Sequence, residues 1–382
     1  MRQLVLIQRN ELRWREAPDP RVEDPGDVIV RPIVVGRCDG DCLPVHRRVS
    51  RAMQAGLRLG LIDPAVGRIC GPVPFAGPLP IGHECVAEVL DVGPSVRRWQ
   101  TGDLVVVPWS VSCGICRNCR RGLTTKCLTT RATGGSGLDE LAAFGFGSAC
   151  GEWGGMASDL VRVPFADHLL VGLPEAVPAQ RVAAASDNLA DAWRCVVPHL
   201  EAYPHARVLI IGGGAQSIGL YAAGLAVAHG AEDVTYLDTD PVRLHLAEAL
   251  GAGVVDQPVK RRAPGTGEEY DIVVEASSSS AGLRYAIRAT APGGHCTAVG
   301  YYVGTMTPAP LMRMYATGMS LHIGVTHPRP ILPDLLNWVA ASGFPAERVT
   351  TVLADFDDAP NAYAMKTTKL VLARDRITSS SR

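Results

Sequence analysis

The chain has 382 residues, 47% hydrophobic and 20% charged, with 37 Lys+Arg against 38 Asp+Glu and a formal net charge of −1. That is the length of roughly two or three ordinary domains, and the charge balance leaves no basic excess to hold a nucleic acid. The longest apolar runs, such as Leu104–Val107 and Val208–Ile211, fall far short of the ~20 residues that cross a bilayer. Met1–Asn10 has neither the apolar stretch nor the small-residue cleavage site of a secretory leader. The expectation is a cytoplasmic, soluble protein with neither nucleic acid nor membrane as partner.

From Leu4 to about Val163, short β-rich runs such as Val28–Val35, Cys85–Val92 and Leu104–Val107, separated by Gly, Pro and Asp, predict an all-β domain. Pro44–Pro80 interrupts it. There Arg47, Arg48, Arg51 and Arg58 follow a helical spacing and a Gly/Pro-rich loop comes next, so the stretch reads as an inserted lid or surface excursion. Its arginines either are solvated or meet an anionic substrate.

An Ala-rich helix is predicted over Pro178–Val197, and from there the period changes. Strands at Val208–Ile211, Asp233–Leu237, Asp271–Ala276 and His295–Val299 alternate with helices at Ile218–Ala228, Pro241–Leu250 and Ala281–Ala291. That alternation predicts a parallel, doubly wound α/β sheet. After about Gly324 come a helix at Pro330–Ser342, a strand at Val349–Val352, and a last helix and strand ending at Leu372.

Of eleven cysteines, Cys113, Cys116, Cys119 and Cys127 crowd into one short loop. Four thiolates at this spacing match the tetrahedral set of a structural zinc, the alternative being free or redox cysteines. Four sulfurs leave no open position, so such a metal staples the chain and does no chemistry.

Strand Val208–Ile211 runs into Gly212-Gly-Gly214-Ala-Gln-Ser217-Ile218-Gly219 and a helix, the placement of a turn that lets a pyrophosphate approach backbone at a helix N-terminus. The spacing departs from the usual fingerprint, since four residues separate Gly214 from Gly219 and the turn carries about two extra. Asp238 ends the next strand 19 residues beyond Gly219, where an acid receives adenosine ribose hydroxyls and repels a 2′-phosphate. NAD is therefore expected over NADP, with Arg243 either stacking or pairing nearby or solvated.

Taken with Gly36-Arg37-Cys38-Asp39-Gly40-Asp41 and Gly82-His83-Glu84, these motifs resemble the zinc-dependent alcohol dehydrogenases of the medium-chain dehydrogenase/reductase superfamily over essentially the whole chain. The resemblance implies a GroES-like, mostly-β catalytic domain (1–188 and 325–382) with a zinc lobe near 110–130 and an insertion near 44–80. A Rossmann coenzyme domain would occupy 189–324. It points to Cys38 and His83 as catalytic zinc ligands, with Glu84 as an acid able to approach the metal. Asp187 is implied as the third ligand ahead of Asp191, and Asp41 as support for His83. Gly212, Gly214, Ser217, Ile218, Gly219, Asp238 and Arg243 fall at coenzyme positions, and Lys369 where relatives place a basic residue for the pyrophosphate. Two Zn2+ per chain and NAD are implied, with homodimeric or homotetrameric assembly.

The function so implied is interconversion of an alcohol with its aldehyde or ketone, by hydride transfer from a zinc-held alkoxide to NAD. Three features depart from the pattern. Gly40 stands where the family carries a relay hydroxyl, and Leu43 where many relatives have a relay histidine. Proton exit then falls to Asp39, His46, Asp191 or a water chain. Cys38 and His83 are also 45 residues apart, longer than the family's usual gap, with Pro44–Pro80 as the excess. The insertion is therefore expected to border the substrate cleft. The alternatives are zinc-linked aldehyde oxidation or dismutation, and a nucleotide-binding sensor without turnover.

Overall fold

The computed structural model describes residues 1–131, 140–259 and 269–377. Its contacts divide the chain into one unit of Met1–Ala190 with the segment from His327 onward, and a second of Asp191–Thr326. Among the described residues no helix is long and apolar enough to cross a membrane.

In the first unit, a seven-stranded sheet runs in the order Val352–Asp355, Leu370–Ala373, Val28–Gly36, Glu84–Val92, Leu104–Val107 and Val171–Gly172, with Val161–Val163 pairing onto Val28–Gly36. All pairings but the first are antiparallel. Val28, Val30, Ala87, Val89, Val105 and Val107 project to one face and close a core with Phe144, Met156 and Leu169. Each such side chain contributes about 1.5–3 kcal/mol on leaving water. A second core joins Leu4, Leu6, Val35, Leu79 and Ile81 to Phe356, Tyr363 and Leu370.

This sheet sets the positions of the chemistry. Gly36 pairs with Glu84 and Val371 with Gly36, so one strand ends beside Cys38 just where a second begins after His83 and a third after Lys369. A Cβ on Gly36 would lie 2.3 Å from Glu84 Oε2, and only glycine leaves room for that carboxylate.

The second unit holds six parallel strands in the order Gly253–Asp256, Asp233–Asp238, Arg207–Ile211, Tyr270–Glu275, Thr290–Ala298 and Ser320–Ile323. In chain order that is 3-2-1-4-5-6, the doubly wound dinucleotide arrangement, whose strand order reverses beside Arg207–Ile211. Helices Gln216–Ala228, Pro241–Ala249 and Ser280–Ala289 connect the strands.

Several elements differ from expectation. The two sheet-edge strands, Gly253–Asp256 and Ser320–Ile323, went unread because they are short and largely exposed, without a buried run to mark them. The helix expected over Pro178–Val197 is a 3-10 turn at Ala179–Val182 followed by helix Asn188–Ala202. A further 3-10 turn at Ala346–Val349 shifts the predicted Val349–Val352 strand to Val352–Asp355. The Gly/Pro-rich half of the insertion contains a second helix, Pro64–Cys70. Asp63 caps it, accepting from the Ala65 N–H at 2.9 Å, and Pro64 fits its first turn. Arg47, Arg48, Arg51 and Arg58 are exposed, while helix Ser50–Arg58 turns Met53 and Gly56 inward.

Candidate metal centres and coenzyme turn

Cys38, His83 and Asp187 meet inside the first unit, their ligand atoms all within 4.8 Å of one another. Cys38 Sγ lies 2.9 Å from Asp187 Oδ2, and His83 Nε2 lies 3.6 Å from the same oxygen. His83 is 2% exposed, yet neither ring nitrogen has a hydrogen-bond partner. A buried imidazole left in that state is costly unless something else engages it. One soft sulfur, one imidazole nitrogen and one carboxylate are the three-ligand set of a zinc with an open fourth position, so these residues fit the ion.

The electrostatics lead to the same conclusion. Burial, then Asp187, Glu84, Asp41 and Asp39, push the Cys38 thiol well above its ordinary pKa. Burial alone would lower His83, but Asp41, Asp187 and Glu84 outweigh it and raise the ring to about 9. A pocket that keeps its thiol protonated and its imidazole charged is short of a cation. Asp41 Oδ1 stands 3.7 Å from His83 Nδ1, on the opposite side of the ring from Asp187, where a carboxylate can orient a ligating histidine. The ring of Phe146 lies 4.8 Å from that of His83 and 5.6 Å from that of Trp109, an aromatic wall beside the metal-ligand group.

Two resemblance-based placements read differently in the structure. Lys369 is fully buried, its ammonium donating to Glu84 Oε2 at 2.5 Å, Asn188 Oδ1 at 2.9 Å and the Arg37 carbonyl at 3.0 Å. All three donors are used there, which corrects the expectation that it serves a pyrophosphate. Glu84 is held in turn, Oε2 by Lys369 and Oε1 by the Asn188 N–H at 3.1 Å. Two of the relay substitutes, Asp191 and His46, each have a partner. Asp191 pairs with Arg194 Nε at 2.5 Å. His46 bonds to Asn10 at 3.2 Å, and burial, with Arg37, Lys366 and Arg9, lowers its pKa to about 4. Gly40 offers an N–H to Cys38 Sγ at 3.3 Å in place of a hydroxyl.

Arg37, Asn188, Phe146 and Tyr236 were missed. Arg37 is 1% exposed, and its guanidinium is bonded to the carbonyls of Tyr363, Met365 and Thr367 at 2.6–2.8 Å. It anchors the segment that delivers Lys369. Nothing in its sequence context marks it. Tyr236 could have been found by strand alternation, since it shares a face with Asp238.

The four lobe cysteines also converge, with all sulfurs within 4.8 Å and Cys116 and Cys127 3.9 Å apart. Tetrahedral Zn–S bonds of about 2.3 Å put sulfurs about 3.8 Å apart, so this group fits a closed structural site. Cys116 caps helix Arg117–Arg120. Backbone N–H groups of Cys119 and Leu128 reach its sulfur at 3.5 and 3.4 Å, and Thr129 Oγ1 donates to Cys113 Sγ at 3.2 Å. Burial opposes ionisation of Cys116, but the Cys119 and Leu128 N–H groups prevail and lower its pKa to about 6.

In the second unit Gly212 ends the first strand. A Cβ there would sit 2.3 Å from Asp238 Oδ2 and 2.6 Å from Tyr236 Oη. Ser217, Ile218 and Gly219 lie in the first turn of helix Gln216–Ala228. At Gly219 a Cβ would meet Ala276 and Ile210 at 3.4 Å, so helix and sheet are close. Arg243 takes the pairing option, reaching Asp238 Oδ2 at 2.7 Å and Oδ1 at 2.8 Å, and Tyr236 donates to Oδ2 at 3.1 Å. Burial would raise Asp238, but Arg243 and the N–H groups of Thr239 and Asp240 hold it below its usual range. Its stabilising charge is therefore complete above the unfolded value near 3.9, and is lost as pH falls through the lower folded one.

Residues 24–175 match the alcohol dehydrogenase GroES-like domain family, and residues 217–341 the zinc-binding dehydrogenase family. The chain belongs to the zinc-dependent medium-chain dehydrogenase/reductase superfamily and is an oxidoreductase of that class. It is 26% identical over 366 residues to a protein of Mycobacterium tuberculosis named a probable zinc-binding alcohol dehydrogenase, covering 95% of this chain and 85% of that one. The solved alcohol dehydrogenase TADH of Thermus sp. ATN1 superposes with a TM-score of 0.79 at 26% identity, covering 98% of this chain and 99% of that one. A glutathione-independent formaldehyde dehydrogenase of Pseudomonas aeruginosa is 35% identical over 265 residues, 67% of this chain and 58% of that protein.

Proposed function

We propose that the protein is a zinc-dependent NAD(H) oxidoreductase that interconverts an alcohol and its aldehyde or ketone. The observation that carries this reading is the convergence of Cys38, His83 and Asp187, with the buried imidazole making no hydrogen bond and facing carboxylates only at 3.6–3.7 Å. A zinc ion bound there supplies Lewis-acid polarisation of the substrate oxygen. The chain's own residues do the positioning. Asp41 faces His83 Nδ1, the Gly40 N–H donates to Cys38 Sγ, and the rings of Phe146 and Trp109 line one side of the site. The Gly212–Gly219 turn receives the coenzyme, which carries the hydride, and Asp238 is the acid at its ribose end, where a ribose hydroxyl exchanges for one of the bonds the carboxylate accepts from Arg243 and Tyr236.

The test is NADH formation by the purified protein with a panel of small alcohols, and NADH consumption with the matching carbonyls. Turnover supports the proposal; coenzyme binding without turnover on the whole panel would favour a sensor. A second reading, aldehyde oxidation or dismutation, is favoured by the likeness to a formaldehyde dehydrogenase. Conversion of an aldehyde to equal amounts of acid and alcohol, with no net NADH, identifies that activity.

Coenzyme choice gives a separate prediction. Asp238→Ser removes the carboxylate that repels a 2′-phosphate and releases two of the donors of Arg243, which keeps its contacts to Asp240 and Gln216. NADH binding should weaken by about tenfold, the worth of roughly one good charged hydrogen bond, while NADPH binding tightens. Unchanged relative affinities would refute the coenzyme assignment. Exposed Leu311, Met312 and Tyr315, with the open edge strand Ser320–Ile323, support self-association as a homodimer or homotetramer, which sedimentation resolves.

A further inference from the structure

The geometry points to Asn188 as the positioning residue for Cys38 and Asp187, with Lys369 setting its orientation from behind. This inference rests on the reading that Cys38, His83 and Asp187 hold a metal.

Asn188 opens helix Asn188–Ala202 and is fully buried. Its side-chain oxygen accepts from Lys369 Nζ at 2.9 Å and from the Asp39 N–H at 3.2 Å. Both of those groups can only donate, so the amide has one permitted orientation. Its NH2 group must then face the other way, and there it meets Cys38 Sγ at 3.4 Å and Asp187 Oδ2 at 3.2 Å. One amide nitrogen thus donates to two of the three metal-ligand atoms, which lie side by side, while its oxygen takes two donors. A flipped amide would set its oxygen against the Cys38 sulfur and the Asp187 carboxylate, and its hydrogens against the Lys369 ammonium.

The same residue ties those ligands to the buried ion pair. Its backbone N–H donates to Glu84 Oε1, while Lys369 holds Glu84 Oε2. Donors aimed at a sulfur and a carboxylate fix the rotamers of the two side chains. Glu84 lies outside the group of Cys38, His83 and Asp187, held toward Lys369 and the Asn188 N–H. Asn188 therefore separates the acid that coordinates, Asp187, from the acid that does not.

The test uses the full-length protein and two readouts that need no turnover: the rate and affinity of zinc release to a chromophoric chelator, and the visible spectrum of the cobalt(II)-loaded protein. In Asn188→Ala the more weakly held metal should leave 10–100-fold more readily, the usual cost of losing such an outer partner. Its cobalt bands should shift, while the lobe metal and the melting temperature stay as in the parent. Asn188→Ser, which suits the start of a helix, is read in the same way if the alanine variant fails to accumulate. Lys369→Arg, which retains a cation against Glu84 and Asn188, should keep most of the affinity.

Unchanged release and spectrum in a folded variant would overturn the role of Asn188 alone. Collapse of both variants with the lobe zinc bound would assign Asn188 to folding and overturn the inference equally. A parent protein that binds only one metal per chain would instead refute the underlying metal reading.

Discussion

Cys38→Ala is expected to lower turnover by about 10³-fold or more and to remove one metal per chain, leaving the fold intact. A Lewis acid at the reacting oxygen is worth several kcal/mol of barrier, and each 1.36 kcal/mol is tenfold in rate. The fold survives because Cys38 touches only local polar groups: its sulfur gives up bonds with Asp187, the Gly40 N–H and the Asn188 amide, while neither sheet loses a strand pairing. Asp187→Ala should also remove that metal and the turnover, but at some cost in stability, because the carboxylate is paired with His83, Cys38 and Asn188. Activity, metal content and melting temperature measured together separate this outcome from unfolding, and normal turnover in Cys38→Ala would refute the site.

Cys116→Ser should do the opposite, lowering stability with a smaller effect on chemistry per folded molecule. Cys116 joins three other sulfurs, caps helix Arg117–Arg120 and receives two backbone N–H bonds. Structural zinc in small peptides is bound with roughly 10–16 kcal/mol of apparent free energy, and binding there is folding. If even about 3 kcal/mol of it bears on the whole unit, the melting temperature falls by roughly 6–12 °C at this size. A melting temperature equal to the parent's, in a variant shown to lack the lobe metal, would leave the lobe without a structural role.

Legibility in the sequence followed the length scale of each signal. The lobe could be read because its four sulfurs lie within one local run. The coenzyme fold could be read because buried strands such as Val208–Ile211 are uninterrupted apolar blocks between amphipathic helices. Edge strands are solvated along one side, so Gly253–Asp256 and Ser320–Ile323 carry no comparable block. Cys38, His83 and Asp187 are too far apart in sequence for any spacing rule to join them, and only a family resemblance did so. The structure adds the reason they meet, in the Gly36–Glu84 register.

The residues behind the ligands were the least legible. Arg37 and Lys369 have no local pattern, because they act through partners distant in sequence, and Asn188, although next to Asp187, also reaches Cys38 across the fold. The resemblance sent Lys369 toward the pyrophosphate, whereas its ammonium is committed to Glu84, Asn188 and the Arg37 carbonyl. Burial decided the matter: a fully buried ammonium must use its donors where it lies.

The most direct test of the two-site account is zinc per chain, measured by elemental mass spectrometry on protein purified without chelator or added metal. The expected values are two for the parent, and one for both Cys38→Ala and Cys116→Ser. A parent value of one that Cys38→Ala leaves unchanged would contradict the account, since Cys38, His83 and Asp187 would then hold no metal.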